Sequence, residues 1–233
     1  MPTSSLQTSG SGRDARVGPG LFGPSNLVRM GFSWDDSRRA FADAAMWFVR
    51  MVDLVRDRWS EPGLGEWDIR ALVGHTSRSL LTVEAYLAKP AAAIEIPSAA
   101  DYFHATSAAA ADPAVAARGR EAGAALGPDP GAAVAEIAAR VLPLVDSQHG
   151  TELVTTIAGG MALTDYLPTR TFELTVRTSD LAVALDAPAG VPATAAAQAL
   201  RIVTDLAVAD DRTAQLLLAA TGRRGLPKGF SVL

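Results

Sequence analysis

Apolar residues return every three to four positions through most of this 233-residue chain, and that period restricts the fold to packed helices. In 32–59 the recurring set is Phe41, Ala44, Ala45, Phe48, Val52 and Val55, with charges between them. The pattern predicts an amphipathic helix of about six turns, with Ser33 or Asp35 as its cap. A second helix is predicted over 68–88, turning Ile69, Leu72, Val73, Thr76, Leu80, Val83 and Leu87 inward. A third over 130–147 carries Val134, Ile137, Val141 and Leu144 on one side. A fourth, entered near Thr164 or Asp165, runs to about 185, and two more follow in 191–209 and 211–221, where Gly222 is a natural stop.

The connections are read from their breakers. Pro and Gly make 61–67 a loop, and Pro90, Pro97, Pro113, Pro128 and Pro130 divide 89–130 into loops around one short helix near 113–125. The stretch 151–163 alternates briefly before Gly159 and Gly160, which predicts a short strand or extended turn. Residues 1–31 are rich in Gly, Ser and Pro without a period and are expected to form a flexible N-terminal arm, leaving 32–233 as the folded domain. The predicted class is an all-α antiparallel helical bundle with a small β element.

Charge and composition narrow the function. A net charge of −4 argues against a nucleic-acid partner, which wants concentrated basic surface. No apolar run approaches the roughly 20 residues of a membrane span, and no leader-like order opens the chain, so a cytoplasmic protein is expected. The chain has no cysteine. Thiolate zinc sites and a thiol nucleophile of the protein's own are thereby excluded, and any thiol chemistry must use a thiol that arrives as a cofactor.

The segment YLPTRTFELTVRTSDLAVAL (166–185) sets Arg170, Glu173, Arg177 and Asp180 at steps of three and four in an otherwise apolar helix. They share one face, which is either a solvated salt-bridge ladder or the wall of a site. Of three histidines, His104 lies in the Ala- and Pro-rich region and His149 at a helix end. His75 sits in mid-helix beside Gly74, which removes bulk where something can approach; it is either a satisfied core-edge residue or a site residue.

The segment GEWDIRALVGHTSRSLLTVEAYL resembles the tryptophan-to-histidine signature of the mycothiol-dependent maleylpyruvate isomerase family, within the DinB-like superfamily. GGMALTDYLPTRTFELTVRTSDLAVAL resembles its second signature, and TGRRGLPKGFSVL resembles the tails of members without an extra C-terminal domain. The resemblance spans roughly 32–233. It implies a DinB-like four-helix bundle with extra C-terminal helices, presenting His, Glu and His to a metal, usually zinc, that activates mycothiol. By position the first two are His75 and Glu173, but the third falls on Arg177. An arginine has no lone pair to give. At about 4 Å and an effective dielectric near 20, its charge would repel a divalent ion by roughly 8 kcal/mol. Zinc or another divalent ion therefore requires a further ligand, such as Asp165 or His149, beside His75 and Glu173.

The resemblance implies a thiol-dependent S-transferase or isomerase, with mycothiol or a similar small thiol as cofactor and a small electrophile, of the kind secondary metabolism supplies, as substrate; Arg177 at the third ligand position makes the expected enzyme one that acts without zinc. His75 would be base or thiol orienter, Arg177 the stabiliser of thiolate or oxyanion, and Glu173 the residue fixing one or both. Trp67, Arg170 and Asp180 would be cofactor contacts or supports, Trp67 being equally readable as core. The alternative is a non-catalytic bundle that binds a small molecule or a partner; a helical transcriptional regulator is disfavoured by the lack of a basic recognition helix.

Overall fold

The computed structural model describes residues 33–110 and 114–233, and the arm expected at 1–31 lies outside them. Four long helices carry the core: α1 (Trp34–Asp53), α2 (Ile69–Leu87), α5 (Pro130–Asp146) and α6 (Leu163–Ala184). α1 and α2 each pack against both α5 and α6, so the four enclose one apolar interior. α3 (Ala99–Ala110) lies on α6 and α7 (Ala193–Ala209), α4 (Ala114–Ala125) lies on α2, and α8 (Thr213–Ala220) follows α7. No helix among the described residues is long and apolar enough to cross a membrane.

The helices start where their sequences supply acceptors for orphan amide groups. Ser33 Oγ accepts from the amide of Asp36 at 3.1 Å. Asp68 accepts from Ala71 at 2.7 Å, and Asp129 from Ala132 at 3.0 Å, just ahead of Pro130. The inward stripes are those the period predicts: Phe41, Ala44, Phe48 and Val52 on α1, and Ile69, Leu72, Val73, Leu80 and Val83 on α2, are buried.

Three connections differ from expectation. The proline-rich stretch before 113 contains a full helix, α3, because Ser98 caps it by accepting from Asp101 at 3.1 Å and alanine has the highest helix propensity. The loop expected at 61–67 is a tight hairpin, β1 (Pro62–Leu64) and β2 (Trp67–Asp68), turning at Gly65 with φ +58°. The short strand or extended turn expected at 151–163 is an antiparallel pair, β3 (Leu153–Thr156) and β4 (Gly159–Ala162), which feeds straight into α6.

Candidate functional site

α6 is the most deeply embedded helix, and its interior is unusually polar. Thr169, Thr171, Thr175 and Thr178 are buried on it. The first three satisfy their hydroxyls by donating to backbone carbonyls of the preceding turn, at 2.6 Å, 3.3 Å and 2.7 Å. That leaves the charged residues to define the remaining face.

Arg170, Glu173 and Arg177 line a cavity of about 910 Å³ together with His75, Arg78 and Tyr86 of α2 and Tyr102 and Phe103 of α3. His75 and the charged face of α6, about a hundred residues apart in the chain, thus meet across one space. The face is also the ladder its spacing allowed. Arg177 approaches Glu173 at 3.7 Å and donates to Asp180 at 3.3 Å. The two readings of the motif are two descriptions of one surface.

His75 is half-buried, and its Nδ1 is enclosed without a hydrogen-bond partner. Burial first, then the charges of Arg177, Arg78, Arg118 and Arg170 in that order, push its pKa down to about 4. The imidazole is therefore neutral at pH 7. Trp67 does not line the cavity but lies behind the histidine. Its ring centroid is 4.6 Å from that of His75 with a 35° tilt, and its indole N–H donates to the Ala116 carbonyl at 3.0 Å. A Cβ on Gly119 would meet the Trp67 ring at 2.5 Å, so that glycine makes the room for it. The bulk removed at Gly74 serves a different neighbour from the one expected. A Cβ there would stand 2.1 Å from the backbone nitrogen of Gly123, so what approaches is α4 and not a ligand.

Arg170 is 9% exposed and has a different setting. Its guanidinium lies 5.2 Å from the ring centroids of both Tyr102 and Tyr166, and its Nε donates to Thr169 Oγ1 at 3.0 Å. No carboxylate lies within 4 Å of it among the described residues. Asp180 stands outside the cavity lining as the second brace of Arg177, and burial raises its pKa against the pull of that arginine.

The donor set does not fit a three-ligand metal. Only His75 and Glu173 can donate, and the carboxylate of Glu173 faces Arg177. The residues that might have completed a set lie elsewhere. His149 is 85% exposed and faces Glu152, and neither it nor Asp165 lines the cavity. No group of three or more His, Asp or Glu able to hold a metal occurs among the described residues.

Sequence reasoning missed Arg78 and the aromatic wall. Arg78, Thr82 and Tyr86 continue from His75 at steps of three and four, a stripe that was readable. Tyr102 and Phe103 went unseen with α3 itself. Comparison of the chain with known protein families, curated proteins and solved structures finds no match.

Proposed function

We propose that this chain is a transferase or isomerase of the DinB-like kind that uses a low-molecular-weight thiol, mycothiol first among candidates, without a metal ion. The observation that carries the reading is the convergence of His75, Glu173, Arg170 and Arg177 on one cavity large enough for two small molecules.

Magnitudes divide the roles. A thiol of pKa about 8.5 loses its proton to a base of pKa about 4 at a cost near 6 kcal/mol, so His75 in this setting is a weak base. Lowering the thiol pKa to about 7 takes only ~2 kcal/mol, and a guanidinium at contact distance in an effective dielectric near 20 supplies about 4 before its own partners are subtracted. Arg177 therefore stabilises the thiolate and the proton leaves to water. His75 orients the thiol by accepting its hydrogen bond, and Glu173 with Asp180 fixes the guanidinium. The sulfur then forms a C–S bond to the electrophile. In a transfer, the leaving group departs with its electron pair. In an isomerisation the sulfur adds to a C=C bond conjugated to a carbonyl, whose oxygen takes up the π pair; after rotation about the resulting single bond the pair returns, the double bond re-forms and the C–S bond breaks, releasing the thiolate.

The rival reading, a non-catalytic small-molecule or partner-binding bundle, draws on the double bracing of Arg177, which offsets part of its field. Thiol-dependent turnover of wild type and Arg177→Met, both shown folded by circular dichroism, separates the two. The proposal expects a loss of about 15-fold at pH 7 that narrows as pH approaches about 8.5, where the thiol ionises unaided. Equal rates at pH 7 would remove Arg177 from the chemistry. No turnover by wild type with any small thiol would favour the binding protein.

A further inference from the structure

The two arginines of α6 serve opposite ends of the cavity. Seven residues separate Arg170 from Arg177, which is about 10 Å along a helix axis. At one end, Tyr86 of α2 meets Tyr166 at 5.3 Å between ring centroids, and Tyr166 in turn carries the Arg170 guanidinium. At the other, His75 lies about three turns back along α2, against Trp67. Of the four arginines that act on His75, Arg177 acts most strongly and Arg170 least.

Arg170 meets the conditions of a preformed anion receptor. It is nine-tenths buried, it lines the cavity, and its only hydrogen bond among the described residues is from Nε to Thr169 Oγ1. Two tyrosine rings hold the guanidinium plane in place. Those tyrosines are not counter-ions, since burial pushes the phenol pKa of both upward and leaves them neutral. Glu173 acts on this guanidinium from beyond ion-pair distance. With no carboxylate within 4 Å among the described residues, the guanidinium's N–H groups remain strong donors of fixed geometry facing the cavity, the arrangement that recognises a planar acceptor pair. The remaining wall at this end is Tyr86, Tyr102 and Phe103, which suits a flat apolar body.

We propose that the Arg170 end is a carboxylate site for an aromatic or similarly flat organic acid, which on the thiol-transfer reading is the electrophile. The cavity then holds both reactants on one helix face: acid at Arg170, sulfur at Arg177, with His75 beside the sulfur. The volume of about 910 Å³ accommodates such a pair.

Calorimetric titration of the full chain with benzoate, with benzamide as its uncharged counterpart and acetate as its ringless one, tests the site. Benzoate is expected to bind with a Kd below about 1 mM, at least tenfold tighter than either control. Arg170→Lys, which keeps the charge and loses the fork, should weaken benzoate about tenfold, and Arg170→Gln should abolish binding. If Arg170→Gln fails to fold by circular dichroism, the lysine variant and the benzamide comparison decide alone. Equal affinity for benzoate and benzamide, no benzoate binding, or binding unchanged by Arg170→Lys overturns the proposal. Thiol-dependent turnover of uncharged electrophiles with no benzoate affinity would sink the carboxylate site and spare the thiol reading. Benzoate affinity without turnover would do the reverse.

Discussion

Arg170 and Arg177 are the same residue about two turns apart on one helix, and their surroundings have little in common. Arg177 is braced by Glu173 and Asp180, so its unit carries its own counter-charge. Arg170 is deeper, bounded by rings and a threonine hydroxyl, with no carboxylate within 4 Å among the described residues. A braced arginine can tune a neighbour's pKa while staying put. One without a carboxylate at ion-pair distance, on which Glu173 acts only from farther away, has affinity to offer. Spacing in the sequence shows both as rungs of the same ladder, and only their neighbours from α2 and α3 tell them apart.

The largest effect is expected at His75. The unfolded chain takes up a proton near pH 6.5 that the folded protein resists until about 4. The histidine's contribution to stability is therefore complete above pH 6.5, falls as pH drops toward 4, and changes no further below that. The loss across that window is about 3 kcal/mol. Denaturant melts of wild type and His75→Gln at both ends of the window check it, and equal acid sensitivity would show that the histidine is not held neutral.

Removing each arginine should then move stability in opposite directions. Arg177→Met leaves Glu173 and Asp180 without their cation and is expected to cost about 1 kcal/mol. Arg170→Met replaces a desolvated cation that has no ion-pair partner among the described residues by an apolar chain of similar length. The desolvation relieved is several kcal/mol, and the two cation–π interactions it removes are worth roughly 1 kcal/mol each, so a gain of about 1 kcal/mol is expected. Thermal melts measure both, and destabilisation by Arg170→Met would mean that it has a counter-charge after all. The smallest effect is on His75 itself. By nuclear magnetic resonance titration its pKa should rise in Arg177→Met and rise less in Arg170→Met. The reverse order would exchange the two ends of the cavity.

The long helices were legible because burial on one side of a helix imposes a period, and α1, α2, α5 and α6 each show it in residues such as Phe41, Leu72 and Val134. α3 was not, because its two large buried residues, Tyr102 and Phe103, are adjacent and give no stripe. Its start was written locally, in the Ser98 and Asp101 pair, and was hidden by the prolines around it. The charged half of the site was legible as a face of α6. The aromatic half was not, since it depends on which helices lie opposite, and Trp67 shows the same limit: its neighbour His75 is visible only once the β1–β2 hairpin turns it under α2.

The close approach of Gly74 to Gly123 bears on how this chain tolerates change. Where two helices meet through side chains, a lost or added methyl group lets them rotate or slide by repacking. Here the crossing of α2 and α4 is backbone on backbone, so neither helix can slide on the other without parting from it. A methyl group added at either glycine would lift α4, which carries the Ala116 carbonyl that receives the Trp67 indole, away from the helix that carries His75. Two residues without side chains thus make the distance between α2 and α4 a fixed quantity.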